Sequence, residues 1–312
     1  MSTGSGEMTN KGYDERPLTL APILGASFAL WVARSVRDRV RPRTGGSVGR
    51  PVPAHPGLEL AEVFDRKTPV VIRDVAAAWP VFGDYQPQRL REKYGTEKVY
   101  ALTSSTNVFT QETSPVELLE YGDVIDAVFD SPRPDKKYYS RAAANPRPLA
   151  EQLPATVGSR TQSTAASSVW MGQSGNLTPL HNDPWHGLLI QLHGRKRVRL
   201  FPPDEYRNVY GRVPTKVDHP YTGLPDEFDP DTGALPRLRE AESYDVVLDS
   251  GDVLYIPMFW WHQVESLDAS ISYVARYNPN YLEFMRAAFF PMAVRGLLRI
   301  VAGLTGKFSR TK

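Results

Sequence analysis

The sequence predicts a mainly β protein with flanking helices, folded as an antiparallel jelly-roll barrel, also called a double-stranded β-helix. Beyond Val169 the chain breaks into short apolar or alternating runs separated by Gly, Pro and Asp, a spacing typical of antiparallel strands. The 312 residues, of which 41% are hydrophobic, are enough to bury one large core. The predicted strands are Ser168–Met171, Gly187–Leu192, Lys196–Phe201, Asp245–Leu248, Asp252–Pro257 and Ile271–Tyr277.

The part of the chain that precedes this barrel mixes helical and strand patterns. A short helix is predicted from Leu58, followed by a β-rich run at Pro69–Asp74 and a loop closed by Trp79. A second helix ends at Gly95 and leads into a strand. Residues 114–130 open with Ser, Pro and Glu and have apolar residues at helical spacing, which predicts a third helix.

Three regions are expected along the chain: an apolar and basic helix with a linker at 1–57, one folded domain at 58–280, and a helical extension at 281–312. The uncharged run Leu18–Ala33 is shorter than the roughly 20 residues of a spanning helix. A helix packed on the domain is favoured over one lying on a membrane surface. Residues 204–243, rich in Pro, Asp and Gly, predict a long loop over one mouth of the barrel.

The C-terminal extension has a helical period interrupted by Pro291, so two helices are expected there. Their apolar side needs a cover. The cover is either the chain's own domain or a second copy in a homodimer, with membrane-surface contact as the third alternative.

The composition limits which residues could bind a metal, but it does not identify a partner. The formal net charge of +2 requires no polyanionic partner, and the sequence has no aromatic-rich basic stripe, so no nucleic-acid partner is expected. The chain contains no cysteine, which excludes disulfides and thiolate ligands. A metal would therefore be held by histidine, carboxylate or water, and a reducing cytoplasm is the favoured compartment.

The segment "TPLHNDPWHGLLIQLHGRKRVRLFPP" carries a candidate metal site together with "GDVLYIPMFWWHQVESL". His181 and Asp183 are two residues apart, so in an extended chain they point to the same side, and His262 can complete the set from another strand. Two imidazoles and one carboxylate leave coordination positions open, the arrangement of non-haem iron(II) oxygenases. The remaining histidines that we assign to structure or solvent are His55, His186, His193 and His219, of which His186 is the best placed to touch substrate.

Lys196 is the second polar feature of the predicted barrel. The alternation in "KRVRLF" places Lys196 on the same side as Val198 and Leu200, and so towards the interior. A buried ammonium needs an anionic partner, which a dicarboxylate would provide. The alternative is a lysine at the strand end that extends its amine to water.

These two segments resemble the cupin-like, JmjC-related iron(II)/2-oxoglutarate dioxygenases, in particular the group similar to the hypoxia-factor asparaginyl hydroxylase. The resemblance extends more loosely to "KTPVVIRDVAAAWP" and covers roughly 58–280, which would then be the catalytic domain. It implies iron ligation by His181, Asp183 and His262. It also implies binding of 2-oxoglutarate by Lys196 and Thr178, with support from Tyr139 in preference to its neighbour Tyr138.

Two positions depart from the pattern of that family. Gly187 stands where several relatives have asparagine, and Arg276 stands on the last barrel strand where some have asparagine or an aromatic residue. Arg276 is either a second cation for 2-oxoglutarate, a contact for an acidic substrate, or an ordinary surface or ion-pair arginine.

The resemblance implies an oxygenase that uses iron(II), 2-oxoglutarate and dioxygen and releases succinate and CO2. Hydroxylation of a protein or peptide side chain is the leading expectation. The alternatives are an oxygenase of a small metabolite or of modified tRNA, and a non-enzymatic cupin-like metal-binding module. Demethylation occurs in the wider family, but no residue here points to it.

Overall fold

The computed structural model describes residues 49–110, 114–130, 135–141, 147–210, 236–280 and 283–284, without the side chains of 206 and 207. Several predictions fall outside these residues: the helix at Leu18–Ala33, most of the 204–243 loop with His219, and the C-terminal helices with their dimer or membrane contacts. Among the described residues, no helix combines the length and apolar character needed to cross a bilayer.

The described chain is dominated by short strands, as predicted. The strands are β1 Arg50–Pro51, β2 Val70–Ile72, β3 Lys98–Ser104, β4 Val116–Glu120, β5 Lys137–Arg141, β6 Thr156–Val157, β7 Arg160–Gly172, β8 Leu177–Asn182, β9 His186–His193, β10 Lys196–Phe201, β11 Tyr244–Leu248, β12 Val253–Ile256, β13 Trp261–Ser266 and β14 Ser270–Asn278. The helices are α1 Pro87–Tyr94, α2 Tyr121–Ile125, which continues as a π-helical turn at Asp126–Asp130, and α3 Arg147–Ala150. Single 3-10 turns lie at Glu62–Asp65, Ala76–Ala78, Phe82–Tyr85, Pro203–Arg207 and Pro236–Glu240.

These strands form two sheets. The smaller has the order β1-β11-β10-β13-β8, and the larger has the order β2-β12-β9-β14-β7-β5-β3-β4 with β6 beside β7. From β7 to β14 the chain passes repeatedly between the sheets, and every pair is antiparallel except β1 with β11. This arrangement confirms the predicted jelly roll.

Alternation along the strands divides the core into two parts. Inward residues of both sheets, such as Leu189, Val198 and Leu254, pack together inside the barrel. The opposite face of the larger sheet presents Leu188 and Ile190 to a larger cluster that includes residues of α1 and α2. The helices therefore cover one face of the larger sheet, while its other face lines the barrel interior.

Two tight turns set the register near the barrel ends. Gly194 joins β9 to β10 with φ of +66°, at the hairpin turn predicted after His193, and a Cβ there would lie 2.4 Å from the Ala269 carbonyl oxygen. Before β12, the buried carboxylate of Asp252 accepts the backbone N–H of Asp249 at 2.8 Å and that of Asp74 at 3.1 Å. Such constraints fix which side chains of each strand face inward.

Two of the predicted helices differ in the structure. Residues 116–120 form strand β4, because Val116 and Leu118 pair with Leu102 and Tyr100 of β3; helix begins only at Tyr121. The apolar spacing in this stretch suits both conformations, and the partner strand decides between them. The short helix predicted from Leu58 is only the 3-10 turn at Glu62–Asp65.

Candidate metal centre

His181 and His262 meet because their strands are neighbours. Strands β8 and β13 pair antiparallel with the two histidines directly opposite each other, so both rings project from the same face. The ring centroids are 4.2 Å apart, and both side chains are buried. Residues 81 positions apart in the sequence thus form one cross-strand pair.

The hydrogen bonds of the two rings determine which nitrogen is available for a metal. Nδ1 of His181 lies 2.8 Å from the Pro179 carbonyl oxygen, and Nδ1 of His262 lies 3.0 Å from that of Trp260. A carbonyl only accepts, so each Nδ1 must carry the hydrogen. With the hydrogen on Nδ1, the neutral form of each ring presents the lone pair of Nε2, the form in which histidine binds metals.

Asp183 completes a compact group of ligand atoms. It lies one residue beyond the end of β8, where its backbone oxygen accepts the N–H of Phe259 at 2.8 Å. One potential ligand atom from each of His181, Asp183 and His262 lies within 4.8 Å of the others. Two imidazoles and one carboxylate at this spacing suit a divalent metal such as iron(II).

Arg276 lies against this group. Its Nη2 and Nε donate to Oδ2 of Asp183 at 2.9 and 3.3 Å, and its Nη1 donates to the Ala166 carbonyl oxygen at 2.7 Å. The guanidinium carbon lies 5.5 Å from the ring centroid of Trp185, and the residue is buried. Because Arg276 is buried and paired with Asp183, it is not an ordinary surface arginine.

Lys196 extends into the same interior, as its alternation with Val198 and Leu200 predicts. The residue is 2% exposed, so its amine does not reach water, and Nζ donates to Oγ of Ser272 at 2.6 Å. Burial lowers the pKa of the ammonium from 10.5 to about 7. Among the described residues no carboxylate forms an ion pair with it, so an incoming anion would relieve this burial cost.

Two hydroxyl side chains line the same cavity as the lysine. These are Tyr139 and Thr178, and burial raises the pKa of the Tyr139 hydroxyl to about 12. The Tyr139 ring stacks on Trp170 with centroids 5.0 Å apart. Tyr138 points to the opposite face of the sheet and packs in the helix-covered core. The structure therefore brings Tyr139, not Tyr138, to the site.

One cavity brings together all seven side chains that the sequence offers as candidate ligands of the metal or of 2-oxoglutarate. These are His181, Asp183, His262, Lys196, Thr178, Tyr139 and Arg276. Trp185 and Trp260 also line it, whereas Trp261 packs in a separate core cluster. Gly187 lies on the wall, where a Cβ would approach Ile256 at an ordinary 3.9 Å, so this glycine leaves space that a larger residue could occupy.

Sequence reasoning missed Ser272, the hydrogen-bond partner of Lys196. The signal was present in "SISYVARY", because alternation places Ser272, Val274 and Arg276 on one face of β14. Two polar residues on the interior face of a barrel strand indicate a binding site rather than a core position.

The other described histidines lie elsewhere. His186 faces the helix-covered side of the sheet, where Nδ1 contacts the Tyr255 hydroxyl at 2.8 Å and Nε2 lies 3.1 Å from Glu283. Burial lowers the pKa of His186 to about 4. His186 therefore packs in the core and does not line the cavity, which agrees with its assignment to structure. His193 contacts Gln86 at 2.7 Å.

Comparison with known proteins agrees with this geometry. A family model described as a cupin-like domain matches residues 56–282. The chain belongs to the cupin-like, JmjC-related oxygenase family. Enzymes of this JmjC-related family use iron(II) and 2-oxoglutarate, and the His181, Asp183 and His262 group could bind the iron. The family resemblance stated from the sequence is thereby confirmed.

Curated relatives in this JmjC-related family match parts of the chain. JmjC domain-containing protein D of Dictyostelium discoideum is 38% identical over 105 residues, which are 34% of this chain and 23% of that protein. Lysine-specific demethylase 8 of Danio rerio is 28% identical over 232 residues, 70% of this chain and 55% of the relative. Human HSPB1-associated protein 1 is 38% identical over 104 residues, 33% of this chain and 21% of the relative. The chain thus matches about half or less of the length of each.

Proposed function

We propose that this chain is an iron(II)- and 2-oxoglutarate-dependent oxygenase that hydroxylates a side chain of a protein or peptide. The observation that supports it most is the convergence of His181, Asp183 and His262 in one cavity with a buried lysine, Lys196. A metal group alone would suit many functions. A metal group beside a buried cation suits a cosubstrate that chelates the metal at one end and carries a carboxylate at the other.

Different residues of the cavity would bind the metal and the cosubstrate. The Nε2 atoms of His181 and His262 and the carboxylate of Asp183 would hold iron(II). Lys196 would bind the distal carboxylate of 2-oxoglutarate, with hydroxyls nearby from Thr178 and Tyr139. When bound, iron(II) and 2-oxoglutarate supply the oxidising chemistry, in which dioxygen yields succinate, CO2 and a hydroxylated substrate.

The other residues that line the cavity would orient the reactants and keep water out of it. Trp185, Trp260 and Ile256 form apolar walls around the metal group. Such walls strengthen the ion pair between Lys196 and a carboxylate, because a low local dielectric weakens electrostatic interactions less than water does. The second hydrogen bond of each histidine, from Nδ1 to a backbone carbonyl, keeps the ring orientation fixed.

The charges of the cavity favour hydroxylation over demethylation. Three relatives are named lysine-specific demethylases, so methyl-lysine is the natural alternative substrate. Among the described residues that line the cavity, the only carboxylate is Asp183, which already pairs with Arg276. A methylated lysine would bring a further cation beside Arg276 without an acidic partner. An uncharged or acidic substrate side chain meets no such penalty.

The test is to incubate the purified protein with iron(II), ascorbate, 2-oxoglutarate and a peptide library, and to measure succinate together with peptide mass. We expect 2-oxoglutarate-dependent succinate formation and peptides heavier by one oxygen atom. Asp183→Ala should abolish both, whereas Asp268→Ala, a partly exposed aspartate paired with Arg195, should abolish neither.

Other outcomes would decide against the proposal. Loss of a methyl group from a lysine peptide would identify a demethylase instead. Oxidation of a metabolite or tRNA but of no peptide would change the substrate class. Metal binding with no succinate under any of these conditions would indicate a binding module.

A further inference from the structure

Three exposed apolar side chains cluster at one edge of the larger sheet. Tyr100 is 68% exposed, Val116 55% and Leu118 56%, and they are three of the four exposed large hydrophobic residues in the described part of the chain. Isolated exposed apolar residues are ordinary on protein surfaces. A contiguous group on one face is not, and such groups mark sites of interaction.

The strand register places these side chains on a single face. Tyr100 of β3 pairs with Leu118 of β4, and Leu102 pairs with Val116. Paired residues of antiparallel strands project to the same side, as do residues two apart on one strand. We call the surface formed by Tyr100, Leu102, Val116 and Leu118 the edge platform.

The edge platform is continuous with the cavity of the metal group. Leu102 pairs with Tyr139 of β5, and both residues line that cavity. Leu102 also packs against the cluster of Phe109, Tyr139 and Trp170. The same face of the sheet therefore runs from open solvent at β4, through Leu102, to the cavity wall.

A cation lies beside this path. Arg141 is two residues from Tyr139 on β5, pairs with Trp170 of β7, and is exposed. Its guanidinium carbon lies 5.6 Å from the ring centroid of Trp170. At the far end of the edge platform, Lys98 and Glu120 form an ion pair at 3.1 Å, which satisfies both charges. The path from edge to cavity is thus apolar, with Arg141 on one side of it and Lys137, two residues before Tyr139 on the same face of β5, on the other.

We propose that the edge platform docks an extended segment of the polypeptide substrate, which places apolar side chains on Tyr100 and Leu118 and an acidic side chain near Arg141. This inference rests on the proposed function and specifies its substrate class. An extended segment matches the surface because its alternate side chains point to one side, as those of the platform do. The occupant is a peptide rather than a metabolite, since the surface extends well beyond the cavity.

The geometry also limits the spacing along the substrate. Neighbouring strands are about 4.8 Å apart, so β3 and β4 lie roughly 10 and 14 Å from β7, which carries the cavity residue Trp170. An extended chain advances about 3.3 Å per residue. Because the metal group lies beyond Trp170, the docked apolar residues should be at least about three to five residues from the oxidised one.

The experiment is selection of a displayed library of random 12-residue peptides on the immobilised protein loaded with Mn(II) and 2-oxoglutarate. We expect enrichment of peptides in which apolar residues accompany an acidic residue. Tyr100→Glu and Leu118→Glu should each reduce binding of the enriched peptides by about tenfold or more, as expected for central contact residues. Val247→Glu is the matched control, because Val247 is also exposed, at 40%, but lies on β11 of the other sheet.

Thermal unfolding checks that the variants are folded, and the outcomes separate the hypotheses. No enrichment, or equal binding by Leu118→Glu and Val247→Glu, would overturn the docking proposal. A change from dimer to monomer in the platform variants, measured by light scattering, would also overturn it, because the surface would then serve a second copy of the chain. Selection requires no turnover, so succinate formation without enrichment contradicts docking alone, and enrichment without succinate contradicts the proposed activity alone.

Discussion

At the scale of single residues, Asp183 differs from the two histidines of the metal group. His181 and His262 lie within paired strands, whereas Asp183 lies just beyond the end of β8. Its carboxylate is held by Arg276, which is itself tied to the Ala166 carbonyl oxygen. Because a planar guanidinium can bridge two acceptors at fixed angles, this contact orients the carboxylate before a metal arrives.

Arg276→Gln should therefore weaken metal binding. The guanidinium also repels a dication, but loss of a partner that orients a ligand typically costs about 10–100-fold in metal affinity, and we expect that effect to dominate. The dissociation constant for Mn(II), measured from free Mn(II) by electron paramagnetic resonance, should rise by about this factor. Arg276→Lys should behave similarly, because one ammonium does not reproduce the bridging geometry.

Arg141→Gln is the control for this prediction, since Arg141 is a nearby cation whose side chain donates to Ser168. Unchanged Mn(II) affinity in Arg276→Gln, combined with weaker binding of 2-oxoglutarate at saturating Mn(II), would contradict the orienting role. That result would assign Arg276 to the cosubstrate instead.

The buried lysine predicts a pH dependence for binding of 2-oxoglutarate. The carboxylate needs the protonated amine, and without the cosubstrate the pKa of Lys196 is about 7. Affinity should be nearly constant below pH 7 and fall by up to about tenfold per pH unit above it, because binding must then take up a proton. Calorimetric titration of the Mn(II)-loaded protein between about pH 6 and 8.5 measures this.

The same shift has a consequence for stability. In the unfolded chain the lysine keeps its ordinary pKa of 10.5, so above pH 7 the unfolded state binds more protons than the folded state. The contribution of Lys196 to the free energy of unfolding therefore rises from pH 7 towards 10.5. Lys196→Met should bind 2-oxoglutarate weakly, and its free energy of unfolding, measured by denaturant titration, should lack this rise with pH. The same rise in the variant would show that another group titrates.

At the scale of elements, the features that depend on a single strand were predictable from the sequence. The run Lys196–Phe201 has the predicted bounds, and its alternation correctly turns Lys196 inward. The two-residue spacing of His181 and Asp183 brings both to one side, although Asp183 is outside the strand. These features depend only on the pleat, which is a property of each strand by itself.

Features that depend on pairing were not predictable in this way. Strand β4 was expected to be helical because its apolar spacing suits a helix until β3 pairs with it. The contact between Asp183 and Arg276 depends on how β14 aligns, and its register against β7 shifts between Val274 and Arg276. Local sequence does not encode such a shift, since the partner strand lies about a hundred residues away.

At the scale of the whole molecule, the site joins the two sheets of the barrel. His181, His262 and Lys196 belong to the smaller sheet, whereas Ser272 and Arg276 belong to the larger. The bond from Lys196 to Ser272 and the ion pair of Asp183 with Arg276 each connect the two sheets across the interior. A bound metal and dicarboxylate would add further connections, so loading should stabilise the fold as a whole.

Loading with Mn(II) and 2-oxoglutarate should therefore raise the midpoint of thermal unfolding. A ligand at 100 times its dissociation constant adds about 2.7 kcal/mol, and 1 kcal/mol corresponds to about 2–4 °C for a domain of this size, so we expect a rise of roughly 5–10 °C. Asp183→Ala should lose most of this rise, and Asp268→Ala should keep it. The shift on loading is the quantity to compare, because removing Asp183 also leaves Arg276 buried without its carboxylate and lowers the unloaded midpoint. An equal shift in Asp183→Ala and the unaltered chain would mean that the metal stabilises the protein from some other place.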